Sequence, residues 1–177
     1  MPPSASVRTA GELTAAIRDR AVSRIIVSPG SYTFSSSMAE DAALYIDHKV
    51  AIEAAEPPSD GSGTVVLNVQ DSSNMLVVYI ASGADVELIG LDITGGSAKQ
   101  AGGGVLVDGK AKLNNCRIYQ NTAVYGGGLA VSGVATLTDC DIHKNGGGNG
   151  GGVVVTGEAT FSNCNVVKQG LLPATRR

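Results

Sequence analysis

The sequence predicts an all-β chain: a parallel β-helix solenoid of about six coils behind a short N-terminal capping helix. Three observations predict it. One unit is written three times, GGGVLVDGKAKLNNCRIYQNTAVY from Gly102, GGGLAVSGVATLTDCDIHKNGGGN from Gly126 and GGGVVVTGEATFSNCNVVKQG from Gly150. Its cysteines mark the period, 140 − 116 = 24 and 164 − 140 = 24, and a fixed period of this size signals stacked repeats. Within each unit apolar residues lie two apart, as in Val105/Val107, Ala111/Leu113 and Cys116/Ile118, the period of strands with one buried face. Glycines stand between these runs, at Gly109, Gly133 and Gly157 and in the triple-glycine runs, where corners need positive φ.

Each repeat therefore holds three short strands and three corners that close one coil. Like positions stack one strand spacing apart, about 4.8 Å. A lone coil cannot bury its inner face, whereas a stack buries a continuous core. A solenoid of helix pairs is disfavoured, because period-two patterning and glycine corners do not build helices.

In chain order, Thr9-Ala10-Gly11-Glu12 reads as a capping box with Thr9 as N-cap. Leu13, Ala16 and Ile17 follow at helix spacing, so a helix from Ala10 to Arg20 covers the open end of the core. Strands are expected at Arg24 to Val27, Ser31 to Phe34, Leu44 to Ile46, Val50 to Ala54, Thr64 to Val69 and Met75 to Ile80. Ser28-Pro29-Gly30 and Asp47-His48-Lys49 make turns between them. EPPSDGSG, 56–63, is a surface loop. Val86, Leu88, Leu91 and Ile93 then begin the later pattern. Leu91 lies 25 residues before Cys116, one more than the later period. The chain divides as a single domain, 1–177, with a cap over 1–22, irregular coils over 24–101, three regular repeats over 102–170 and a tail over 171–177.

Ile118-Tyr119-Gln120-Asn121 followed by Gly126-Gly127-Gly128-Leu129, and Ile142 to Asn145 followed by Gly150 to Val153, resemble the repeats of polymorphic outer-membrane proteins. Those carry Phe-x-x-Asn and Gly-Gly-Ala-Ile in each coil, and Ile replaces Phe here. More broadly the chain is similar to the pectate-lyase-like superfamily of right-handed β-helices. The resemblance implies the right hand and an extracellular or cell-surface setting. It does not imply an activity, because that fold hosts lyases, hydrolases, adhesins and inert scaffolds.

Charged residues make up 16% of the 177, and the net charge is −3 with a pI near 5.3. That leaves no basic field for nucleic acid. No run of apolar residues is long enough for a membrane span, and Met1 to Arg20 lacks a signal-peptide pattern. Cys116, Cys140 and Cys164 share one repeat phase, so they are expected as reduced, inward, stacked thiols. Parallel stacking sets their Cβ atoms wider apart than the roughly 3.8 Å a disulfide prefers. No fourth ligand shares their face for a metal, and no cofactor is expected.

The densest polar patch is Asp139, Asp141 and His143, alternating with inward Cys140 and Ile142, with Arg117 and Tyr119 in the neighbouring coil. Two carboxylates and a histidine could bind a cation or do acid–base work on a sugar. A solvated face carrying an Arg117–Asp141 cross-strand pair is the favoured reading. Asp47-His48 resembles a pair in some pectate lyases, but the glycine, tryptophan and arginine signatures around it are missing. Gly146 to Gly152 reads as corner glycine, since no Gly-Lys-Ser/Thr follows. Thr136 and Thr160 align, but Lys112 interrupts a threonine ladder of the kind that binds ice. Asn121 and Asn145 are expected to stack as structural amides, with Gln169 below.

The expected function is a non-catalytic scaffold or binding module docking a protein, or less readily a polysaccharide. The alternative is a polysaccharide lyase or hydrolase, or its remnant, acting on uronic-acid polymers. The expected partner edge is the last coil, through Phe161, Val166, Leu171 and Leu172. There the chain either continues as a longer solenoid, associates with itself or meets another protein.

Overall fold

The computed structural model describes residues 3–35, 42–56, 64–70 and 74–167. They form a parallel β-solenoid of five complete coils and the first two strands of a sixth, against the six expected. The first coil runs through Arg24–Val27, Gly30–Phe34 and Ala42–Ile46, the second through Val50–Ala54, Val65–Val69 and Leu76–Ile80. From the third coil onward each turn has four strands rather than three. The third has Asp85–Ile89, Leu91–Thr94, Ser97–Ala101 and Val105–Val107; the fourth has Lys110–Asn114, Arg117–Tyr119, Thr122–Tyr125 and Leu129–Val131. The fifth has Val134–Thr138, Asp141–His143, Gly146–Asn149 and Val153–Val155, and Glu158–Ser162 with Asn165–Val166 opens the sixth.

The extra strands Ser97–Ala101, Thr122–Tyr125 and Gly146–Asn149 form a sheet of their own. Alternation could not reveal them, because small and polar residues on this sheet give no buried face to detect: Val124 and Tyr125 are both exposed. The other three sheets hold seven, six and five strands, all parallel. In-register pairs such as Leu88↔Leu113, Leu113↔Leu137 and Ile118↔Ile142 stack like on like. The inner faces of these three sheets make one apolar cluster from Val7 to Ile142, as the stacking argument requires.

A first strand unseen in the sequence, Ser4–Val7, pairs with Arg24–Val27 ahead of the helix. The helix runs Ala10–Arg18, two residues short of expectation. Thr9 Oγ1 accepts the Glu12 N–H at 3.1 Å. The return bond from Glu12 goes to the Arg8 N–H, 2.7 Å, rather than to Thr9. Leu13, Ala16 and Ile17 are buried, and the helix packs on the strands of the first coil. It thereby covers one end of the core.

The corners divide by cause. Gly126 has φ +57, a left-handed backbone. Gly133 does not. It is small because a Cβ there would sit 2.1 Å from the Gly109 carbonyl of the coil before. Non-glycine residues take left-handed φ at two further corners, Asn115 (52°), Asp139 (54°) and Asn163 (52°) at one, Gln120 (54°) and Lys144 (54°) at the other. Asn and Asp tolerate this region better than most residues. Among the described residues no helix is long and apolar enough to cross a membrane.

Candidate functional site

The six-stranded sheet, which holds Arg117–Tyr119 and Asp141–His143, presents the expected polar patch, differently wired. Register sets Arg117 opposite Asp141 and Tyr119 opposite His143. Yet the Arg117 guanidinium turns to the other neighbour. It holds both carboxylate oxygens of Asp92, the Nε to Oδ1 contact being 2.7 Å. Asp92 is 5% exposed, so its charge needs a paired cation. That hydrogen bond, more than any other cause, raises the Arg117 pKa further. The expected Arg117–Asp141 pair is thus replaced by Arg117–Asp92. The signal for Asp92 was present: 117 − 92 = 25, the offset that separates Leu91 from Cys116.

Asp141 instead accepts from Asn165 Nδ2 at 3.0 Å and lies 3.6 Å from His143 Nε2. The Tyr119 and His143 rings stack at 5.4 Å, 4° from parallel. Burial chiefly, with the nearby Asp92 charge, pushes the Tyr119 hydroxyl pKa up. Asp139 is not on the strand. It sits at the left-handed corner before it, where Asn163 Nδ2 donates to its Oδ1. The patch is therefore a chain of pairs along the stack, with guanidinium on carboxylate, amide on carboxylate and ring on ring. Among the described residues no group of three or more His, Cys, Asp or Glu is placed to hold a metal ion.

Beside this face lies the amide ladder. Asn121 and Asn145 are both fully buried. Asn121 Oδ1 accepts the Gly96 N–H at 2.9 Å, and its Nδ2 donates to the Ile93 and Tyr119 carbonyls, 3.0 Å each. Asn145 Oδ1 accepts the Asn121 N–H at 3.0 Å, and its Nδ2 donates to Ile118 O at 2.8 Å. Asn121, whose Nδ2 also lies 3.1 Å from Asn145 Oδ1, stitches the third, fourth and fifth coils, and Asn145 joins the fifth to the fourth, a structural role. Gln169 lies outside the described residues.

The cysteines are free. They stand just before the strands, at the same left-handed corner, and point inward. Cys116 and Cys140 are buried, while Cys164 is partly exposed. A side-chain hydrogen bond to Cys140 and then burial raise the Cys116 pKa well above the ordinary thiol value.

At Asp47-His48 the turn gains a partner the sequence did not suggest, an Arg20–Asp47 ion pair. His48 Nδ1 lies 3.2 Å from Asp47 Oδ1, and its buried Nε2 has no hydrogen-bond partner among the described residues. Asp47, Arg20, Arg18 and Tyr45 line a cleft of about 290 Å³ between the helix and the first coil.

The last described coil differs from those before it. Phe161 and Val166, with Val155 at the end of the fifth coil, hold inward phases but are 40%, 45% and 41% exposed. Their counterparts one coil earlier, Leu137, Ile142 and Val131, are 0%, 0% and 2% exposed. Leu171 and Leu172 lie outside the described residues. A family model described as right handed beta helix region matches residues 33–172, well over half of the chain. No curated protein and no solved structure matches it.

Proposed function

We propose that this chain, which belongs to the right-handed β-helix family, is a non-catalytic scaffold that docks a protein partner on its last described coil. The observation that carries the reading is the jump in exposure between Leu137, 0%, and Phe161, 40%, at one register position. The same jump occurs at Ile142 and Val166. Glu158–Ser162 and Asn165–Val166 are the terminal strands of their sheets. Among the described residues they pair on one side, and the other side offers backbone donors and acceptors of the kind that recruit a further strand. Covering the open parts of Val155, Phe161 and Val166 contributes about 2–4 kcal/mol. A protein supplies both the strand and the apolar cover, whereas a polysaccharide supplies neither. The polar face supports this division of labour, since Arg117 and Asp92 already satisfy one another.

The test is light scattering after size exclusion over a wide concentration range, with amide exchange, on the protein and on Phe161→Glu/Val166→Glu. Concentration-dependent association lost in the variant supports docking by a second copy. Specific cross-linking of a purified partner to the coil supports a different protein. A monomer at every concentration, with amides of 158–166 exchanging as slowly as those of 134–143, would mean the edge is already covered, and the reading fails.

A further inference from the structure

Two metal-ligating side chains lie inside the core, Cys116 and Cys140, both buried. They occupy one position in successive coils, with Asn114↔Thr138 and Arg117↔Asp141 paired on either side of them. The Asp141 N–H donates to the Cys116 carbonyl at 3.0 Å, which holds the two residues one above the other. Their thiols hydrogen-bond each other. Cys164 also touches Cys140, but of these two sulfur neighbours Cys116 acts on Cys140 the more strongly.

The stacking decides what such a pair can bind. Like positions stand about one strand spacing apart, roughly 4.8 Å. A disulfide wants its Cβ atoms nearer, about 3.8 Å apart. An ion midway between the sulfurs fits the wider gap, because a metal–thiolate bond is about 2.3 Å and two in line span about 4.6 Å. Cys116 Sγ has the carbonyl oxygens of Leu88 and Asn114 at 3.5 and 3.4 Å, and Cys140 Sγ has those of Leu113 and Thr138 at 3.3 Å each. Oxygen dipoles crowded around the sulfurs favour a cation there over a bare thiolate. Among the described residues no group of three or more His, Cys, Asp or Glu is placed to hold a metal. That fails the tetrahedral demand of zinc. It leaves a soft ion satisfied by two sulfurs in line, and Cu(I) is the ion of that kind that thiolates select.

We propose that Cys116 and Cys140 form a two-coordinate site for a monovalent copper ion, held in line between their sulfurs inside the solenoid. The first thiol to lose its proton to solvent cancels the charge of the ion, so no net charge is buried. The apolar cluster around the pair keeps water from it. The ion enters through local opening of the coils, so loading is slow. The site makes no use of the edge at Phe161 and Val166, and neither proposal depends on the other.

Reduced ¹⁵N-labelled protein, incubated anaerobically with Cu(I) in the presence of a competing Cu(I) chelator, tests it, with Zn(II) as the comparison. One copper ion per chain is expected, with two sulfur neighbours by X-ray absorption and shifts at amides of 113–118 and 138–142. Cys164→Ser should bind as the parent does, while Cys116→Ala and Cys140→Ala should each lose the ion to the chelator. Should the alanine variants fail to fold, the absorption spectrum and the shifts on the unaltered protein still decide. Copper surrendered to the chelator by the unaltered protein, a third ligand at the copper, zinc held as tightly, or shifts confined to 160–166 would overturn the proposal. So would loss of the ion in Cys164→Ser.

Discussion

Replacing Asn121 by alanine should be among the most damaging single substitutions in this chain. The side chain is fully buried and reaches the coils on both sides. Its removal takes the acceptor from the Gly96 N–H and a donor from the Ile93 carbonyl. Each buried group left unpaired costs about 1–3 kcal/mol. The void left by the amide adds to this, so the expected loss is about 3–5 kcal/mol. That is a large part of the roughly 5–15 kcal/mol that holds a domain folded. Asn165→Ala is the control, because that amide makes an exposed bond to Asp141 and its backbone is not left-handed. It should cost under about 1 kcal/mol. Urea unfolding followed by far-ultraviolet circular dichroism and by tyrosine fluorescence measures both. Agreement of the two probes checks that the stack unfolds as one unit. If Asn121→Ala falls within about 1 kcal/mol of the parent at unchanged m-value, the ladder does not hold the coils together as argued.

Three further outcomes are expected. A thiol reagent should label Cys164 first in the native protein and reach Cys116 and Cys140 only on denaturation, because those two are buried; rapid labelling of all three would refute the inward column. Tyr79 donates to Asp108 Oδ2 at 2.7 Å, and that bond, with partial burial and the Asp108 charge, pushes its pKa from 10.0 up to about 12. Because the folded value lies above the unfolded one, this contribution is complete below pH 10 and is lost as pH rises toward about 12. Urea melts at pH values across that window should show a slope that Tyr79→Phe reduces, and an unchanged slope would remove Tyr79 from the account. Polygalacturonate or alginate with calcium should yield no new unsaturated ends by absorbance; turnover abolished by Asp141→Ala or Asp47→Ala would replace the scaffold reading with a lyase.

The repeats made the coils legible because inward residues are both apolar and periodic. Leu113, Leu137 and Ile142 could be placed from spacing alone, and all three are fully buried. The three-stranded sheet was not legible, since Gly146–Asn149 carries no alternation and its place is set by the path of the chain around the corner. At the polar patch, spacing supplied the columns but not the direction in which a long side chain leans. Arg117 has acidic neighbours in both adjacent coils, Asp92 and Asp141. It pairs with the buried one, where an unpaired charge would cost more. The Ser4–Val7 strand escaped notice because its sequence, SASV, buries only Val7 well and so gives no pattern of its own.

The ladder also divides two dipeptides that look alike, Asn145-Gly146 and Asn149-Gly150. An asparagine before glycine ages chemically when the next backbone nitrogen attacks the side-chain carbonyl, closing a ring and losing ammonia. At Asn145 the nucleophile is occupied, because the Gly146 N–H donates to the Asn121 carbonyl at 2.8 Å, and the oxygen and nitrogen of the amide are both hydrogen-bonded to the preceding coil. Asn149 is exposed, and its carbonyl accepts from Gly126 while its amide side chain is in solvent. Slow deamidation during storage therefore belongs to Asn149, where a new carboxylate meets water. The same reaction at Asn145 would bury a negative charge beneath Asn121 and take the donor from the Ile118 carbonyl.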